Sequence, residues 1–89
     1  MDQASLNTLN FCVEFVKNNY SERSQTSMCI VWINQAKDLL EKDDALSSAV
    51  FIANELEAIE NYLTGKASSL TSADIDSKIQ MIETLLEDA

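Results

Sequence analysis

Carboxylates supply most of the reactive chemistry in this sequence. Its 89 residues hold 15 Asp and Glu against 6 Lys and Arg, with two cysteines and no histidine. Acid–base catalysis by carboxylates needs two of them facing one reacting atom, in a pocket that tunes their pKa values. Glu57 and Glu60 share a helical face, whereas Glu55 and Glu57 diverge by about 200°. Asp43 and Asp44 are adjacent and offer oxygen ligands to a hard cation. The same pair reads more simply as a solvated turn that ends in a helix cap. A di-metal carboxylate bundle requires Glu-x-x-His pairs, and the histidines are missing. Cys12 and Cys29 form no CxxC, so a four-ligand zinc site is not assembled. Both lie in apolar stretches and read as buried thiols of a reducing compartment, with a redox or disulfide pair as the alternative. No nucleophile elbow, phosphate loop, HExxH or EF-hand spacing occurs. The expectation is a protein that is not an enzyme and uses neither metal nor cofactor.

The formal charge of −9 argues against direct nucleic-acid binding, which needs clustered Lys and Arg, and against docking on an anionic membrane. The longest apolar run, Met28 to Ile33, is far short of the roughly 20 residues of a membrane span. No secretory signal is visible, so the expected compartment is the cytoplasm. Asn19-Tyr20-Ser21 matches a glycosylation sequon, but so short a pattern reads as chance. Charge is also uneven. Residues 1–43 carry six acids and four bases; residues 44–89 carry nine acids and two bases.

These residues must be positioned by helices. With one Gly and no Pro, the turn vocabulary of a β protein is absent. Four segments repeat apolar residues at spacings of 3 and 4. The first, about 5–20, carries Leu6, Leu9, Val13, Val16 and Tyr20, with Phe11 and Phe15 on another face. The second, about 26–42, carries Cys29, Ile33, Ala36 and Leu40, flanked by Trp32 and Leu39; Ser24, Thr26 and Ser27 are its candidate caps. The third, about 44–64, carries Ala49, Ile52, Leu56, Ile59 and Leu63. Asp44 is its expected cap and Gly65 its expected stop. Further apolar residues, among them Val50 and Phe51, surround that segment and suggest a central helix. The fourth, about 72–87, carries Ile75, Ile79, Ile82 and Leu86. Thr71 and Asp74 have capping-box spacing, and Leu70 and Ile75 that of a hydrophobic staple. Residues 33–41 and 79–87 both end Leu-Leu-Glu. The expected fold is all-α: one compact domain of four antiparallel helices built as two helical hairpins, monomeric or homodimeric.

Two surfaces then stand out. Asp74, Asp76, Glu83, Glu87 and Asp88, with Glu57 and Glu60, form a candidate acidic patch for a basic protein partner. Acids near the end of the last helix are disfavoured by its dipole, so local stability does not account for them. Simple solubility is the competing explanation. Phe11, Phe15, Trp32, Phe51 and Tyr62 form a candidate apolar strip for a partner helix or a second copy, with ordinary core packing as the competing explanation. The favoured function is a protein-binding inhibitor of the anti-defence (anti-CRISPR-like), immunity or antitoxin kind, a nucleic-acid mimic whose acidic half blocks a basic nucleic-acid-binding surface. The alternative is a small acidic assembly or secretion co-chaperone, or an adaptor, gripping a partner helix through the aromatic strip.

Overall fold

In the computed structural model, which describes residues 1–43 and 46–88, the chain is all-helical. The described residues form four α-helices and no strand: α1 (Gln3–Asn19), α2 (Thr26–Glu41), α3 (Ala49–Leu63) and α4 (Ser72–Glu87). A 3-10 turn, Arg23–Gln25, leads into α2. The Cα radius of gyration is 12.2 Å, close to the roughly 12 Å of a compact chain of this length. α1 packs on α2, α2 on α3, α3 on α4, and α4 closes back on α1.

Each helix turns one apolar stripe inward. Leu9, Cys12, Val13 and Val16 of α1 meet Cys29, Ile33, Ala36 and Leu40 of α2. Ala49, Ile52, Leu56 and Ile59 of α3 and Ile75, Ile79, Ile82 and Leu86 of α4 complete one core. Among the described residues no polar or charged residue is buried, so removal of apolar surface from water is what holds the helices together.

Helix ends differ from the sequence reading where backbone bonds replace side-chain caps. α1 begins earlier than expected, because Asp2 accepts a bond from the Ser5 N–H at 2.7 Å. None of Ser24, Thr26 or Ser27 caps α2; its N-cap is Gln25, without a side-chain bond. The preceding 3-10 turn runs straight into the helix, with the Thr26 N–H bonded to the Arg23 carbonyl, so the orphan donors are met by backbone. α3 starts at Ala49 after Ser48, later than the expected residue 44. Asp44, the expected cap, lies outside the described residues. α3 ends in a Schellman motif: Lys66 N–H bonds the Asn61 carbonyl at 2.8 Å and Gly65 N–H bonds Tyr62 at 3.2 Å. Gly65 has a φ of +80°, the left-handed conformation that glycine reaches at least cost. At α4 the capping box is complete, with Asp74 N–H to Thr71 Oγ1 at 3.2 Å and Thr71 N–H to Asp74 Oδ2 at 2.9 Å. Ile75 is buried and Leu70 packs against the core, as a staple requires.

The expectation of a central third helix is corrected. α3 contacts α2 and α4 as its chief neighbours, and Val50 is 75% exposed. In a ring of four helices each member has two neighbours, so apolar residues beyond those contacts face solvent.

Candidate functional site: an aromatic face and an acid-rimmed groove

Three of the four helix seams are tied by charge. Lys37 of α2 meets Glu60 of α3 at 3.0 Å, and Lys78 of α4 meets Glu55 of α3 at 3.0 Å. Lys17 of α1 meets Glu83 of α4 at 3.2 Å. At that same seam the Tyr20 hydroxyl donates to Asp76 at 2.5 Å and sits 3.3 Å from the Ser72 carbonyl. The bond to Asp76, then partial burial, pushes the Tyr20 phenol up to about 12, because both disfavour the phenolate.

The α1–α2 seam is different. Among the described residues no ion pair joins side chains of the two helices; only the Met1 amino group, ahead of α1, meets Asp43, after α2, at 3.1 Å at the end of the seam. Phe11 and Trp32 meet edge to face there, centroids 5.0 Å apart at 78°. Phe15 lies 6.2 Å from Trp32 and 6.4 Å from Phe11. Phe15 and Trp32 are half-buried against the core, while Phe11 remains 53% exposed. One helical turn around Trp32, Val31 is 53% and Met28 43% exposed. Asn7, Asn18 and Gln35 fall on the same helical faces by spacing. The three rings at the centre of this face are apolar, in a chain whose formal charge is −9. Glu14, three residues from Phe11, and the Asp38–Lys42 pair, 2.9 Å apart, fall on the same two helical faces by spacing.

The five aromatic residues of the expected strip are thus divided. Phe11, Phe15 and Trp32 come together. Phe51 lies on the α3–α4 side beside Met81, lining a separate shallow depression with the Lys78–Glu55 pair. Tyr62 is half-buried against the core. Met28 and Val31 were not singled out by sequence. Both sit within an apolar run that reads as core, and only the inward placement of Cys29 and Ile33 assigns them outward.

The seven acids do not share one surface either. Glu60 serves the α2–α3 seam; Asp76 and Glu83 serve the α4–α1 seam. Asp74 is occupied by the capping box. Glu57, Glu87 and Asp88 are exposed and take part in no ion pair among the described residues.

Glu57 belongs to a further feature, a groove of about 600 Å³ between the end of α2 and the start of α3. Leu40, Leu46, Ala49, Val50 and Ala53 give it an apolar lining. Glu41, Asp43 and Glu57 stand around it. Its lining base, Lys37, is neutralised by Glu60.

Among the described residues there is no group of three or more His, Cys, Asp or Glu able to hold a metal ion. Cys12 and Cys29 are free and buried, and burial pushes both thiols above their ordinary range. The Asn19 amide donates to the Phe15 carbonyl at 2.8 Å, which keeps it in the helix end. Among the described residues no helix is long and apolar enough to cross a membrane. No protein-family model, curated protein or solved structure matches the chain.

Proposed function

We propose that this protein is a non-enzymatic protein-binding module, an acidic adaptor or assembly co-chaperone, whose working surface is the α1–α2 aromatic face. The supporting observation is the exposure of Phe11, Val31 and Met28 around the ring contacts of Phe11, Phe15 and Trp32. Aromatic residues and methionine are enriched, and charges depleted, at the centres of protein interfaces. The partner is taken to present an apolar helix. The reading assumes antiparallel hairpins. The pairs Lys17–Glu83 and Tyr20–Asp76 support that for α1 and α4, since one index rises as the other falls. The same face is where a second copy would pack if the chain dimerises. The compartment is taken to be the reducing cytoplasm, in keeping with two free buried thiols.

A second reading is an inhibitor of the anti-defence, immunity or antitoxin kind that covers a basic nucleic-acid-binding surface. It is favoured by Glu57, Glu87 and Asp88, which form no ion pair among the described residues. Salt separates the two, since exposed charge pairs are screened and apolar contacts are not. The test is affinity capture from host lysate at low and high salt, using the parent chain, Phe11→Ala and a Glu87→Lys/Asp88→Lys variant. The adaptor reading expects a captured protein that survives high salt and is lost with Phe11→Ala. A captured protein unaffected by Phe11→Ala but lost in salt and in the charge variant overturns it in favour of the inhibitor.

A further inference from the structure

The α2–α3 groove lies on the side of α2 away from Trp32, and the aromatic-face reading leaves it without a role. It combines three properties. Its apolar lining includes Val50, which at 75% is the most exposed of the large apolar side chains. Its lining also includes two short side chains, Ala49 and Ala53. Its edges carry Glu41 and Glu57, which form no ion pair among the described residues. Asp43 adds a third carboxylate, already 3.1 Å from the Met1 amino group.

We propose that this groove is a docking site for a cationic amphipathic helix of a partner protein. An α-helix lying in a groove presents apolar anchors at i, i+3, i+4 and i+7. Such anchors fit against Val50, Ala53 and Leu46. Lys or Arg on the flanks of the same helix then reach Glu41 on one wall and Glu57 on the other. Lys37, the base on the lining, is already paired with Glu60. An anionic helix is excluded by the same carboxylates, and a polar basic segment without an apolar stripe leaves Val50 in water. Charge sets partner choice here and the apolar lining sets residence. The site is independent of the aromatic face, so the molecule has two surfaces for two partners, which is what an adaptor requires.

The test uses a fluorescein-labelled Leu/Lys amphipathic peptide of about 18 residues, five helical turns, titrated with the full chain and followed by anisotropy. A scrambled peptide of identical composition and a Leu/Glu counterpart serve as controls. The expected result is saturable binding of the amphipathic cationic peptide, at least about tenfold tighter than the scramble, and none of the Leu/Glu peptide. Glu41→Lys/Glu57→Lys weakens binding by roughly tenfold or more, and Val50→Ser by several-fold. All three positions are exposed, so the variants fold, and circular dichroism checks that they do. Trp32 emission stays unshifted during the titration. Equal binding of the scramble, or of the charge-reversed chain, overturns the proposal. A shift in Trp32 emission with loss of binding in Phe11→Ala also overturns it, because it moves the peptide to the aromatic face. That outcome leaves the adaptor reading standing, while loss of the aromatic-face function leaves the groove result untouched.

Discussion

Phe11→Ala separates an interface aromatic from a core aromatic, and its cost follows from the geometry. Phe11 is 53% exposed, so folding removes about half of its surface from water. Full burial of such a side chain stabilises by roughly 1.5–3 kcal/mol, and half of that is about 1 kcal/mol. The edge-to-face contact with Trp32, at 5.0 Å, adds roughly 0.5–1.5 kcal/mol. The expected loss is therefore about 2 kcal/mol. Ile33→Ala, at a fully buried neighbour in α2, is expected to cost about 2–5 kcal/mol, because it leaves a cavity. Urea unfolding followed by circular dichroism at two protein concentrations measures both. Adding Trp32→Ala closes a double-mutant cycle, whose coupling is expected at about 0.5–1.5 kcal/mol. A coupling near zero refutes the ring contact. A Phe11→Ala loss above about 3 kcal/mol, with a midpoint that rises with protein concentration, refutes its exposure and shows the ring covered by a second copy.

Tyr20 gives a pH signature. Its phenol is held up to about 12, so the stability it contributes is whole below about pH 10 and is lost as pH rises through its folded value. Phenolate absorbance near 295 nm should show a late tyrosine step, and Tyr20→Phe should remove it; a Tyr20→Phe titration identical to that of the parent chain contradicts the Asp76 bond. Cys12 and Cys29 should resist a thiol reagent in the native chain and both react after denaturation, whereas fast native labelling would mean that the core opens. Thr71→Ala should cost about 1 kcal/mol, seen as a melting-point drop of roughly 4–8 °C, while an unchanged melting point would mean that the capping box is dispensable. Glu87→Lys places a cation at the end of α4 and should raise stability by about 0.3–1 kcal/mol; a fall would assign Glu87 a structural partner.

Periodicity made the core legible. Ile75, Ile79, Ile82 and Leu86, or Cys29, Ile33, Ala36 and Leu40, are buried because one face at that spacing is all a two-neighbour helix can hide. The capping box at Thr71 and the stop at Gly65 were legible for a similar reason, since each is a local pattern with one favoured geometry. The start of α2 was not, because a backbone 3-10 turn does the capping there and leaves no side-chain mark. The surfaces were least legible. Whether Phe11, Phe51 and Tyr62 share a face depends on how four helices rotate against one another, which intrahelical spacing does not specify. The same holds for the acids. Lys17, Lys37 and Lys78 are ordinary surface bases in the sequence, and only tertiary placement shows that each meets a carboxylate from another helix.

That placement changes what the acidic surplus means. Reversing Asp76, Glu83 or Glu60 removes a tie between helices and, at Glu60 and Glu83, sets two cations face to face. Lost binding in such a variant would therefore mix a weakened fold with a changed surface. Reversing Asp74 takes away half of a cap. Glu57, Glu87 and Asp88 have none of these duties, so a binding effect at those positions reports on recognition itself. A charge that the fold does not use, and that the dipole of α4 disfavours at Glu87, is costly to keep for stability alone. The acids worth testing are those whose reversal leaves the bundle as stable as before or more so. By that criterion the acidic excess of residues 44–89 contracts, among the described residues, to Glu57 at the groove and Glu87 and Asp88 at the end of α4.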